Sequence, residues 1–124
     1  MNSLIAIFLG GGMGSVLRYC SQQAFNETVF KGASHWTTFV VNIAGSFLIG
    51  LFYALSDRLG LSQEVRLALT TGLCGGFTTF STFSNESLGL IKQGQMLTAL
   101  AYVGLSVILG VVAAMAGAMA GGAK

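Results

Sequence analysis

The sequence predicts an all-α integral membrane protein with four transmembrane helices, the third of them broken at mid-membrane. Three observations predict it. Of the 124 residues, 53% are hydrophobic and only 8% charged, against roughly 25% charged in a soluble domain, and the mean hydropathy is +0.75. The chain also divides into four apolar stretches, each matching the about 20 residues that a bilayer crossing needs. Finally, the third stretch contains Thr70 to Glu86, TTGLCGGFTTFSTFSNE, which is dense in glycine and hydroxyls. Inside a membrane such a run suggests an interrupted helix that lines a passage.

The first span covers about residues 3–24. It carries one charge, Arg18, and the run GGGMG, in which Gly10 and Gly14 make a close-approach face. The start, MNSLIAIFLGGG, has no basic lead-in before its apolar run, so it reads as a retained helix and not as a cleaved signal. The second span, about 36–56, has no charge, and Trp36 is placed as an interface anchor. In the third span, about 64–91, Gly72, Gly75 and Gly76 weaken the helix just before a run with a period of three. Phe77, Phe80 and Phe83 form one column of that run, and Thr78, Ser81 and Ser84 a second. The fourth span, about 95–121, has Gly117 and Gly121 in small-xxx-small spacing. The connections are short and polar, so residues 1–124 read as a single transmembrane domain.

A net charge of +2 is too small to argue for nucleic acid. Cys20 and Cys74 both fall in apolar segments, which argues against a structural disulfide or a thiolate metal site. The distribution of charge says more. With four spans, the termini share a side with Arg58, Arg66 and Lys124, while Arg18, Lys31 and Lys92 fall on the other. Three against three gives no preferred orientation under the positive-inside rule. Either the bias is weak, as in many small membrane proteins, or the chain inserts both ways and pairs as an antiparallel dimer. Four short helices enclose a pathway poorly, so passage between the helices of an oligomer is expected.

The polar residues inside the spans are the candidates for chemistry. Asn42 is costly in a membrane unless paired; it makes an interhelical hydrogen bond or presents an NH2 donor to a passage. Arg18, a turn or so from the expected end of its span, snorkels to the interface or gives a water-filled vestibule a positive potential. Glu86 closes the polar run, at the interface or as the single intramembrane carboxylate. Tyr102 and Ser106, one turn apart, share a face of the fourth helix. Phenylalanine edges are positive and can meet an anion. A broken helix frees backbone carbonyls, which can hold a hard cation such as Na+. There is no carboxylate pair, Cys/His cluster, Ser/His/Asp set or phosphate loop, so nothing argues for an enzyme.

The strings GGGMGSVLRY, TTFVVNIAGSFLIG and TTGLCGGFTTFSTFSNE closely resemble the CrcB/Fluc family of fluoride channels, in the family's order and spacing and over essentially the whole chain. The resemblance implies a fluoride-selective channel in the bacterial inner membrane that lowers cytoplasmic fluoride by passive export. It implies an inverted homodimer in the lipid bilayer, with two pores and one structural Na+ at the interface. By resemblance, the backbone carbonyls of Gly75 and Thr78 hold the Na+. Phe80 and Phe83 line the pores with Asn42 as the pore amide, Ser81, Thr82, Tyr102 and Ser106 are polar positions near the pathway, and Arg18 is the basic residue of the vestibule. The chain departs from the pattern at Gly110, where some members carry a further hydroxyl one turn beyond Ser106.

Two other classes compete. A small secondary transporter of the multidrug-exporter type can also be a four-helix, dual-topology dimer, but it depends on a carboxylate in the first span, and this chain has none there. A non-transporting scaffold would not need a hydroxyl-and-phenylalanine lining.

Overall fold

A computed structural model describes residues 2–28 and 34–122. Lys31 and Lys124, two of the cations in the charge balance, lie outside the described residues. Within them every regular element is helical. Helix α1 is Asn2–Thr28 and α2 is Ser34–Leu59. The third span is built in pieces: α3 (Gln63–Leu67), a π-helical segment (Ala68–Cys74), α4 (Gly75–Phe77) and, after a break, α5 (Phe80–Lys92). Helix α6 is Met96–Ala120. Three stretches, Ser3–Thr28, His35–Leu59 and Met96–Ala120, are each long and apolar enough to cross a membrane unbroken. The segmented third span makes the fourth.

The two short turns follow from local chemistry. Gly60 and Gly94 have φ of 65° and 77°, the left-handed region that a residue with a Cβ rarely adopts. After each glycine the chain closes back on the finished helix, with Leu61 N–H on the Ser56 carbonyl at 3.1 Å and Gln95 N–H on the Leu90 carbonyl at 2.9 Å. This is the Schellman arrangement, which satisfies carbonyls that a helix end otherwise leaves bare. Ser62 then caps α3 by accepting the Val65 N–H at 3.3 Å.

Packing separates the helices into two tight pairs. Helix α1 lies on the π-helical segment and α4, where a Cβ on Gly10 would strike the Ala68 carbonyl oxygen and one on Gly14 the Leu73 carbonyl oxygen. The contact is reciprocal, because a Cβ on Gly76 would strike the Gly11 carbonyl. Helix α2 lies on α6 in the same way, with Gly50 against the Ala114 carbonyl and Gly117 against the Phe47 carbonyl. In lipid there is little hydrophobic gain from bringing helices together, so backbone approach through small residues supplies the dispersion energy. The large apolar side chains mostly face outward, among them Phe8, Leu97 and Val107.

The glycine cluster of the third span therefore acts differently from the sequence expectation. Gly72 lies in the π-helical segment, and Gly75 and Gly76 lie in α4. None of the three is the break. Gly72 and Gly76 admit α1, whereas Gly75 has no outside neighbour that its Cβ would crowd and is exposed.

Candidate functional site

The break falls on two threonines. Thr78 (φ −87°, ψ 159°) and Thr79 (φ −149°, ψ 119°) are both extended, so two residues of strand-like backbone stand between α4 and α5. Backbone groups at such a point have lost their helical partners and, without water, need others. Side chains from three elements supply them.

Asn42, on α2, pairs with Thr79 at both ends of its amide. Thr79 N–H donates to Asn42 Oδ1 at 3.0 Å, and Asn42 Nδ2 donates to the Thr79 carbonyl at 3.3 Å. The Thr79 donor fixes which end of the amide is the oxygen. Thr79 also caps α5, accepting the Thr82 N–H on its Oγ1 at 3.3 Å while donating to Thr82 Oγ1 at 3.1 Å. On the other side, Thr78 folds back, and both its N–H (3.0 Å) and its hydroxyl (2.9 Å) donate to the Cys74 carbonyl.

Two carbonyls lose their ordinary partners through this arrangement. In an uninterrupted helix the Thr79 amide would close onto Gly75, and the Thr82 amide onto Thr78. Asn42 and the Thr79 hydroxyl take those two amides instead.

Arg18 stands elsewhere than the sequence reading placed it. Helix α1 continues to Thr28, past the expected end near residue 24, so Arg18 lies about ten residues, nearly three turns, from that end. Its guanidinium is at the break. Nε donates to the Gly76 carbonyl at 3.2 Å and Nη1 to Gln22 Oε1 at 3.5 Å, and Gln22 Nε2 donates in turn to Thr38 Oγ1 at 3.2 Å. Among the described residues no carboxylate meets it. A cation on the last carbonyls of a half-helix is favourably placed against the helix dipole. Glu86 is likewise inside α5 and not at its end, and its Oε1 accepts from the Tyr102 hydroxyl at 3.4 Å.

A cavity of about 390 Å³ opens beside the break. Of the residues singled out from the sequence, Asn42, Gly75, Thr78, Phe80, Phe83 and Ser106 line it; Ser81, Thr82, Tyr102 and Arg18 do not. The Phe80 and Phe83 ring centroids are 5.9 Å apart, and Phe80 is 79% exposed, facing out of the single chain. Phe77 precedes the break, so the expected three-ring column is reduced to these two. Tyr102 is 0% exposed. It sits behind Phe83, with centroids 5.0 Å apart, in a cluster completed by His35 and Trp36. Trp36 is therefore packed against neighbouring rings.

The sequence reading missed Ser46, Cys74 and Thr79 as lining residues. Ser46 carries a usable signal: it follows Asn42 by one helical turn and so shares its face. Thr79 was legible as an N-cap, since Thr-x-x-Thr precedes the helix, but only once the break was known. The Gln22–Thr38 link has no sequence signal.

Comparison with known proteins bears on this site. Residues 5–118 match the family described as CrcB-like protein, Camphor Resistance (CrcB). A protein of Bacteroides fragilis named fluoride-specific ion channel FluC is 52% identical over 123 residues, covering 98% of this chain and 97% of its own length. Proteins of the same name from Phocaeicola vulgatus (51%; 94% and 96%) and Flavobacterium psychrophilum (47%; 94% and 94%) are similar over nearly full length. With the match reaching all four helical spans and the break within the third, the chain belongs to the CrcB-like family.

Proposed function

We propose that this chain is a fluoride-selective channel of the bacterial inner membrane, passing fluoride down its gradient and so lowering it in the cytoplasm. The observation that carries the reading is the cavity at the break, which gathers amide and hydroxyl donors beside two phenylalanines. The names of the full-length relatives support it.

The energetics favour several weak donors over one strong one. The idealised cost of burying a bare ion is of order 20 kcal/mol, while a hydrogen bond to a charged group returns about 1.5–3 kcal/mol. Asn42 commits one amide hydrogen to Thr79 and keeps its second. Ser106 Oγ, buried beside the same cavity, has no partner among the described residues. The edges of Phe80 and Phe83 add positive potential without a full charge. Arg18 hydrogen-bonds to the Gly76 carbonyl and is not among the residues lining the cavity, so no fixed cation there would trap the anion.

The working unit of this reading is an antiparallel homodimer with two pores. Phe80 faces out of a single chain, and a second copy would close the pathway over it. The balanced cations of the sequence support insertion in both orientations. A structural Na+ between the copies fits the donor set. The Gly75 and Thr78 carbonyls lack their helical amides, Gly75 is exposed, and Na+ takes oxygen ligands readily. When bound, the ion would neutralise the bare carbonyls and tie the two copies together.

Flux from liposomes loaded with fluoride or chloride tests the reading. The purified chain should pass fluoride and essentially no chloride, and Phe83→Ile should slow fluoride greatly while the protein still elutes as a dimer. Equal passage of both anions, or normal flux through the variant, overturns it.

A further inference from the structure

We propose that Ser46 is a further donor to the permeating anion, presented from α2 at the place a hydroxyl on α6 would occupy if residue 110 were serine. Three observations, on two facing helices, carry this.

Ser46 lies one turn after Asn42 on α2, and both line the cavity at the break. Its hydroxyl makes no hydrogen bond among the described residues. A serine within a helix ordinarily bonds back to the carbonyl one turn earlier, and this one does not. Across the cavity, on α6, Ser106 Oγ is buried and also without a partner. Ser106 Oγ, buried without a partner, is costly unless something accepts from it, and Ser46, half-buried, lines the same cavity. A small anion, or the water that travels with it, is an acceptor for both.

Gly110 supplies the third observation. It follows Ser106 by one turn, and a Cβ placed on it would stand 3.6 Å from Ser46 Oγ. A hydroxymethyl group at position 110 would reach the same space from the opposite wall. The hydroxyl and the missing side chain are thus complementary: α2 carries the oxygen, and α6 is bare where it would compete. Asn42, Ser46 and Ser106 then form a set of donors lining the cavity, and Gly110 leaves room for Ser46.

The proposal rests on the channel reading above, and its test separates the two. Fluoride efflux from liposomes is measured for the unaltered chain, for Ser46→Ala and for Ser46→Ala combined with Gly110→Ser, each checked for dimeric elution. Ser46→Ala should slow efflux roughly tenfold, the effect of one lost hydrogen bond to a charged group. The double variant should recover most of that loss, because the hydroxyl returns from α6; the same recovery shows that the single variant had folded. Normal efflux through Ser46→Ala, or a double variant no faster than the single, overturns the proposal. An unaltered chain that passes no fluoride overturns the channel reading itself, which is a different result from a normal Ser46→Ala.

Discussion

The seam between α2 and α6 and the break in the third span solve opposite problems in one small membrane protein. At the seam two continuous helices touch through their backbones, with Gly50 and Gly117 set against carbonyl oxygens of the facing helix. Each helix keeps its own hydrogen bonds and asks its neighbour only for van der Waals contact. At the break the helix gives up its own bonds, and neighbours replace them through Asn42 and Arg18. Glycine makes the contact at the first place, whereas the two extended residues of the second are threonines. In lipid, then, a glycine lets a neighbour approach, while a break needs polar side chains that stand in for the missing turn.

The largest effect should come from removing that stand-in. Asn42→Leu leaves the Thr79 N–H and carbonyl unpaired, at about 1–3 kcal/mol each. Thermal unfolding in detergent should drop sharply, and fluoride flux should be lost. Asn42→Asp separates the two bonds, since its carboxylate still accepts the Thr79 amide but presents an oxygen to the Thr79 carbonyl. It should unfold between the parent and Asn42→Leu while also failing to conduct. If Asn42→Leu unfolds with the parent, the amide does not hold the break.

The seam should be next. A methyl on Gly117 would strike the Phe47 carbonyl, and backbone cannot yield as a side chain would. Gly117→Ala should cost about 3 kcal/mol, the upper range of overpacking. Gly104 lies in the same helix with open space around it, so Gly104→Ala should leave stability unchanged or raise it by about 0.5–1 kcal/mol. Equal melting temperatures for the two variants would mean that the seam does not depend on close approach.

Arg18 offers the smallest effect and the sharpest distinction. Its Nε donates to Gly76, and a glutamine at that position carries a nitrogen donor at the same distance along the side chain, without charge. If the residue serves as a cap on the half-helix, Arg18→Gln should keep the slow amide exchange of Thr78 to Thr82, and Arg18→Met should lose it. If it serves by its charge, Arg18→Lys should conduct normally and Arg18→Gln should not.

How much of this was legible in the sequence depends on the range of the interaction. The spans and the two glycine turns show in local pattern, because they follow from apolar length and from residues next to one another. The face made by Gly10 and Gly14 is likewise a local spacing, and it packs as the spacing suggests. The break does not. Gly72, Gly75 and Gly76 looked like the weak point, yet their conformational freedom is not used there; they take ordinary π- and α-helical backbone. What places the break at Thr78 and Thr79 is an amide on another helix, 37 residues away in sequence. The distance of Arg18 from its helix end was hidden for a related reason: no local signal showed that α1 runs on to Thr28.

The glycine contacts described for α1, α2 and α6 also bear on how such a chain tolerates change over generations. In a water-soluble domain the interior is written in large apolar residues, and those resist substitution. Here many of the large residues point outward, where Leu, Ile, Val and Met are close to synonyms, and the helix seams are written in positions with no side chain at all. The ordinary pattern of permissive and forbidden sites is therefore inverted. Drift can exchange most of the hydrocarbon surface, while a single added methyl at Gly14, Gly50 or Gly117 meets backbone and is excluded.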